Sequence, residues 1–355
     1  MAGKVTILDA AGFPISHDGS RLLTVKSATR SWSARELIRH AQEHPPEPII
    51  EGLFNVGDVL LLHGSEESFK SIFVLQMAES IALGRPLIGC WNVPKARRVG
   101  LIETEIHEVM LGERLSKMFP NGDPPEGLCF MGEDALRDWR RKTMDQKFQL
   151  VQDWINEEKV EVLMIDIASD FFRGPDNPSE ERAVGKFFDE LRNLRTKARA
   201  IVRHDRKKKA ELDGEVNANE RIRGSAEWKE DPEVILSLER PDRRTNEVAL
   251  EVGKLRYGLK PEPFKLWFDV GTFRLTPLPP VIAVLQAGKQ ARRQIVVACK
   301  ERFGLGERTV DDMLGKEREF LVERQEGHKK SFEIDAPRAL GAPWSPFFFG
   351  EAVEG

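Results

Sequence analysis

Four uniformly apolar runs recur through the middle of the chain: DVLLLHG (58–64), RVGLIET (98–104), VEVLMID (160–166) and RAIVRHD (199–205). A strand with one wet face alternates apolar and polar side chains, whereas a strand covered on both faces is apolar throughout. Between the runs lie stretches of helical period: KSIFVLQMAESIALG (70–84), HEVMLGERLSKMF, WRRKTMDQKFQLVQDWINEE and AVGKFFDELRNLRTKA. Parallel strands cannot be joined by a tight turn, so buried strands separated by helices require a mostly parallel sheet with helices on both faces. The expected class is α/β.

After Gly224 the runs shorten to EVILSLER, EVALEVGKLR, KLWFDV and FRLTPL, which read as antiparallel hairpins extending one sheet edge. Leu278-Pro279-Pro280 breaks the pattern. Beyond it, 281–336 reads as three short helices and a final hairpin, a small winged-helix pattern. Residues 1–48 form an arm in which Ser33 and Glu36 make a capping box at the start of SARELIRHAQEH, and Pro45, Pro46 and Pro48 end that helix. The expected division is an arm (1–48), a main domain (49–278), the winged-helix-like segment (281–336) and a Pro-, Gly- and Phe-rich tail (337–355). A chain of 355 residues suits one large and one small domain.

Charge excludes some functions. With 54 Lys+Arg against 58 Asp+Glu the formal charge is −4, which rules out a uniformly basic nucleic-acid coat but leaves room for a local basic channel. Cys90, Cys129 and Cys299 are far apart without metal-ligand spacing, which points to a reducing, cytoplasmic setting. The N-terminus lacks a signal-like apolar run and nowhere do 18 apolar residues occur together, so no membrane span is expected.

The chemistry concentrates at the ends of the apolar runs. Gly64-Ser-Glu-Glu-Ser68-Phe69-Lys70-Ser71 falls between the first strand and its helix. A phosphate-binding loop needs a glycine to turn the chain, inward backbone N–H groups, a lysine for the β- and γ-phosphates and a hydroxyl for Mg²⁺. Gly64, Ser68, Lys70 and Ser71 supply these, while Phe69 stands where a second glycine is usual. Asp166 ends the third strand, where a carboxylate can order Mg²⁺. Glu103 and Glu105 end the second; Glu105 is placed to polarise a water, and Glu103 reads equally as a solvated surface residue. His204 ends the fourth strand on the same edge, the edge at which open α/β sheets bind ligands.

The order of these pieces over roughly 48–270 resembles RecA-like hexameric ATPases, especially plasmid and phage replicative helicases of the RepA type (AAA_25-type domains). EPIIEGLFNVGDVLLLHG, SFKS, VGLIETE with Arg114 following, VLMIDIASDFFRG, IVRHDRK, RGSAEW and KLRYG carry the resemblance. It implies a RecA-like P-loop NTPase using ATP and Mg²⁺, assembled as a homo-oligomer, a hexamer, on single-stranded DNA. It makes Glu105 the water-activating glutamate, Asp166 the Walker B carboxylate and His204 the γ-phosphate sensor, with Arg203 standing where the family often has the first of two histidines. Lys254 and Arg256 in GKLRYG match a Lys-x-Arg presented to the neighbouring subunit's nucleotide; alternation along a strand puts both on one face.

Two loops are candidates for nucleic acid. The one at 206–225 carries Arg206, Lys207, Lys208, Lys209, Arg221 and Arg223; the one at 170–181 carries Phe171, Phe172 and Arg173, weighed as lesser contacts. In the C-terminal segment the second helix is basic (Arg292, Arg293, Lys300, Arg302) and the third acidic (Glu307, Asp311, Asp312, Glu317, Glu319), leaving Arg324, His328, Lys329 and Lys330 of the hairpin as the better DNA candidates. The expected function is an ATP-hydrolysing, ring-forming DNA translocase or helicase of a plasmid or phage-like replication module. The alternatives are an ATP-dependent DNA-binding regulator or initiator without unwinding activity, and a recombinase-like filament ATPase.

Overall fold

The computed structural model describes residues 7–8, 14–15, 32–173, 180–205, 222, 225–327 and 329–339. The chain forms two compact units, 1–46 and 47–355. In the first, the strands Ile7–Leu8 and Pro14–Ile15 pair antiparallel, and a helix spans Ala34–Glu43. Ser33 caps it as expected: its hydroxyl accepts from the Glu36 backbone N–H at 3.2 Å while the Glu36 carboxylate accepts from the Ser33 N–H at 2.9 Å.

The second unit is built on a nine-stranded sheet. Its elements are β1 (Val59–Gly64), α1 (Lys70–Leu83), β2 (Val99–Glu103), α2 (Glu108–Met118), β3 (Leu128–Phe130), α3 (Met144–Glu158), β4 (Val162–Asp166), α4 (Glu180–Asn193), β5 (Ala198–His204), β6 (Val234–Glu239), β7 (Glu247–Leu255), β8 (Phe264–Asp269) and β9 (Arg274–Thr276). The spatial order is β9-β8-β7-β6-β1-β5-β4-β2-β3. The strands from β6 to β3 are mutually parallel, and β7, β8 and β9 extend the β6 edge antiparallel. EVILSLER is parallel to β1 on one side and pairs antiparallel with β7 on the other, so it is both the last strand of the parallel sheet and the first arm of the expected hairpin extension. A short strand, LCF at 128–130, closes the other edge, and the expected long helix from Trp139 begins instead at Met144, capped by Thr143.

Apolar continuity along the strands has the expected cause. Leu60, Leu62, Val162 and Met164 face one core with Phe54, Phe73 and Met77, whereas Val59, Leu61, Leu163 and Ile165 face another with Phe148, Val151, Phe187 and Phe188. Alternation with both faces covered gives an unbroken hydrophobic run. Helix α1 is buried almost all round and ends at Gly84 in the left-handed region (φ 62°).

After β9 come α5 (Pro280–Leu285), β10 (Gln290–Ala291), α6 (Arg292–Phe303), α7 (Glu307–Lys316), β11 (Leu321–Glu326) and β12 (Lys329–Ile334), with β10 and β11 both flanking β12. Val281, Ile295, Cys299, Phe303, Val310, Leu314 and Phe332 make a third core. Asp269 at the end of β8 joins this segment to the sheet through Arg302, at 2.5 Å. No helix among the described residues is long and apolar enough to cross a membrane.

One buried cation shapes the loop after β4. Lys147 on α3 donates to the carbonyls of Asp170 (2.9 Å), Phe171 (3.2 Å) and Arg173 and lies over the Trp139 ring. Removing it strands several buried acceptors, each costing about 1–3 kcal/mol. Lys147→Met is expected to lose about 3 kcal/mol in urea unfolding; a loss under about 0.5 kcal/mol would show that water replaces the ammonium freely.

Candidate active site

Parallel register brings the chemistry to one edge. Gly64 pairs with His204 and Glu103 with Asp166, so β1, β5, β4 and β2 all end together. At the first of these ends the chain must turn sharply: a Cβ on Gly64 would lie 2.0 Å from the Leu238 carbonyl oxygen of β6, which excludes any other residue without displacing backbone. The loop then closes around Lys70, whose ammonium donates to the carbonyls of Gly64 (3.0 Å) and Ser65 (2.5 Å) and contacts the Ser68 hydroxyl (3.3 Å). Ser68 in turn donates to the Ser65 carbonyl at 2.8 Å. Lys70 is 3 % exposed, and burial lowers its pKa against the raising pull of Asp166, Asp205, Glu239 and Glu105.

Phe69 immediately precedes α1 in the left-handed region, φ 63°. That conformation costs an ordinary residue roughly 1–2 kcal/mol. Its ring stacks on Phe268 of β8 at 4.5 Å, with the Arg240 guanidinium 4.8 Å from its centroid. Aromatic and cation–π contacts of roughly 0.5–1.5 kcal/mol each offset most of that cost. The aromatic is thus a tie between the loop and the antiparallel extension.

Two carboxylates lie side by side under the loop. Glu103 is 8 % and Asp166 2 % exposed. Glu103 is therefore not a solvated surface residue. It accepts from the backbone N–H groups of Glu105 (2.8 Å) and Ile106 (3.3 Å) and so holds the turn that carries Glu105. Burial, and then the neighbouring Asp166 charge, push its pKa up to about 8. Burial likewise raises Asp166, opposed by the Ser71 hydroxyl. One Asp166 oxygen, Oδ1, is buried without a hydrogen-bond partner. An orphaned carboxylate oxygen beside a serine hydroxyl suits a hard divalent cation such as Mg²⁺ that keeps much of its water shell. Glu105 is half-exposed and meets His204 Nε2 at 3.1–3.2 Å, a contact that lowers its pKa.

Ser68, Phe69, Lys70, Ser71, Glu105 and His204 share the wall of one cavity of about 410 Å³ with Arg114, Arg240, Phe268 and Phe273. The last three carried no signal in the sequence. Arg240 follows the C-terminal end of β6, and reading EVILSLER as parallel to β1 would have put it on the ligand edge.

Other expected residues lie elsewhere. Lys254 and Arg256 do not line this cavity; both donate to the Glu230 carbonyl, at 2.8 and 2.9 Å, so they do share a face. Arg256 also lies 3.4 Å from Glu233. Arg203 stacks over Trp228 at 4.4 Å. Phe171 and Phe172, weighed as contacts for nucleic acid, pack against Phe187 instead, Phe171 fully buried and Phe172 partly so; Arg173 pairs with Asp170 at 2.8 Å. Arg206, Lys207, Lys208, Lys209, Arg221, Arg223 and His328 lie outside the described residues.

Comparison with known proteins supplies the context. The AAA domain family (AAA_25) matches residues 25–210. Among solved structures, an ATPase domain is similar at TM-score 0.50 and 11 % identity, covering 68 % of this chain and 96 % of that one. A DnaB-like replicative helicase, solved for its interactions with primase, is similar at TM-score 0.52 and 12 % identity, covering 70 % of this chain and 68 % of that one. A search of curated protein sequences finds no match. At such identities the likeness is one of fold, and the fold is the RecA-like P-loop architecture.

The buried pair gives a pH test. An unfolded glutamate ionises near 4.5, whereas Glu103 keeps its proton to about 8 in the fold. Between those values the unfolded chain binds fewer protons at this position, so the stability contributed by Glu103 falls as pH rises. Glu103→Gln removes that slope. In metal- and nucleotide-free buffer its Tm is expected to rise relative to the parent's between about pH 5 and about pH 8; a constant difference would contradict the assignment.

Proposed function

Because the chain belongs to the AAA domain family, we propose that this P-loop ATPase is a ring-forming translocase that hydrolyses ATP to move along DNA, of the plasmid and phage replicative type. The observation that carries the reading is the Glu105–His204 hydrogen bond across two strand ends, in the same cavity as Lys70 and Ser71. A base for water, a cation for the phosphate tail and a polar group opening the next loop are the parts a nucleotide-driven motor needs.

In this reading Lys70 exchanges its bonds to the Gly64 and Ser65 carbonyls for β- and γ-phosphate oxygens. Ser71 and Asp166 would hold Mg²⁺, which when bound would neutralise charge on the phosphates. Glu105 orients and deprotonates the attacking water, held in place by the Glu103 carboxyl behind its turn. His204 contacts Glu105 on one side and opens the 206–225 loop on the other, so loss of the γ-phosphate changes what the loop feels. That loop, with its Lys/Arg cluster, meets the single strand.

Lys254 and Arg256 act on the neighbouring subunit. Their position away from their own cavity, on a shared face at the end of β7, supports presentation in trans. The order helix, strand, helix, helix, hairpin at 280–334 supports a winged helix. Its third helix, α7, carries Glu307, Asp311 and Asp312 against Arg308 and Lys316, a charge balance that makes it a poor major-groove reader.

Lys70→Ala is expected to lower ATP turnover by about two orders of magnitude in a chain that still unfolds in one cooperative transition, and single-stranded DNA should stimulate the parent. Undiminished hydrolysis would remove the phosphate role of Lys70; hydrolysis indifferent to single strands would remove the translocase. Mixing Arg256→Ala with Lys70→Ala subunits in equal amounts should recover about a quarter of the parent rate, the chance that intact partners meet across a head-to-tail interface. If mixed assemblies form and recover nothing, Arg256 does not act in trans.

A further inference from the structure

A groove of about 950 Å³ runs between the first turns of α6 and the β11–β12 hairpin. Its floor is apolar, with Val297 (46 % exposed) and Ala298, and its rim is cationic, with Arg293, Lys329 and Lys330. Arg293 is exposed and has no ion-pair partner among the described residues, and Lys330 lies at 2.6 Å from Glu323. Arg292, in the same lining, is already neutralised by Glu307 and Asp311. An apolar floor gains nothing from phosphates, and Glu301 closes part of the wall. The chemistry suits a peptide that brings aromatic or aliphatic side chains together with carboxylates.

The chain itself contains such a peptide. Residues 340–355 lie outside the described residues and read LGAPWSPFFFGEAVEG, with Trp344, Phe347, Phe348 and Phe349, two acids at Glu351 and Glu354, and no cation. Each aromatic presents roughly 150–250 Å², so four together exceed the few hundred Å² of apolar patch that a soluble surface usually carries. Ala339, the last described residue, is buried in the core of the C-terminal segment. From there to Phe347 the chain spans about 26 Å when extended, against a radius of gyration of about 10 Å for a body of that segment's size. Much of the segment's surface is within reach, at the high effective concentration of a short tether.

We propose that residues 344–354 dock in the groove between α6 and the β11–β12 hairpin of their own chain, with the Phe347–Phe349 rings on Val297 and Ala298 and the Glu351 and Glu354 carboxylates on Arg293, Lys329 and Lys330. The docked segment covers the wing and withholds it from other partners. This goes beyond the ATPase reading and does not depend on it.

The test uses the full chain with Phe348 replaced by the photoreactive benzoylphenylalanine. Irradiation is expected to join position 348 to peptides within 291–301 or 325–330, in a product of single-chain mass. Lys329→Glu with Lys330→Glu should lower the cross-link yield about fivefold, the worth of two exposed ion pairs, and adding Glu351→Lys with Glu354→Lys should restore it. Val297→Asp, at a position that already faces water, should also lower the yield, and unfolding curves confirm that each variant is folded. Cross-links elsewhere, a two-chain product, or a yield indifferent to charge reversal would overturn the proposal. So would a Lys329→Glu, Lys330→Glu chain that loses binding to a duplex DNA probe with its cross-link intact, because the groove would then be a DNA contact.

Discussion

Withdrawal of charge from water at a single sheet edge governs this molecule. Lys70, Glu103 and Asp166 are all nearly inaccessible, and an isolated buried ion costs several kcal/mol. The structure meets that cost with main-chain carbonyls around Lys70, while Glu103, held by two main-chain N–H groups, keeps its proton to about 8. Both devices require the loop after β1 and the turn after β2 to keep their shapes. They keep them because Gly64 lies against β6, Phe69 is stacked on β8, and Glu103 and Asp166 are adjacent in register. The dry pocket and the rigid backbone are two sides of one requirement.

Much of this was legible in the amino acids. Strands β1, β2, β4 and β5 announce themselves because burial on both faces leaves their middles apolar, at 60–62, 100–102, 163–165 and 200–202, and polar residues end them. The capping box at Ser33 could be read from two residues because its hydrogen bonds are local. Thr143 and Gln146 carry the same signature at α3, which places the helix start after the Trp-Arg-Arg-Lys stretch. Lys254 and Arg256 share a face because a strand alternates, and their common bond to the Glu230 carbonyl follows from that.

The rest depended on distant pairing. β6 is as apolar as the other parallel strands, but the sequence before it, RKKKAELDGEVNANERIRGS, is charged and without an apolar helical period, so its pairing with β1 was hidden. That concealed Arg240, which lies next to the ligand edge because β6 runs alongside β1. The burial of Glu103 follows from β4 lying beside β2, which no local pattern reports. Phe171 and Phe172 sit next to a strand end in sequence, yet they turn into the core because the α3 lysine gathers the carbonyls around them.

Neighbours on a strand face opposite ways, and on β8 that alternation joins two regions far apart in sequence. Phe268 supports the ring of Phe69, while Asp269, nearly inaccessible, receives the Arg302 guanidinium from α6. Excising the sheet domain at the Leu278-Pro279-Pro280 junction would take that guanidinium away and leave an unmatched acid beside the phenylalanine seat. A fragment trimmed at the apparent domain boundary would therefore inherit a weakened phosphate loop, although every residue of the loop was still present.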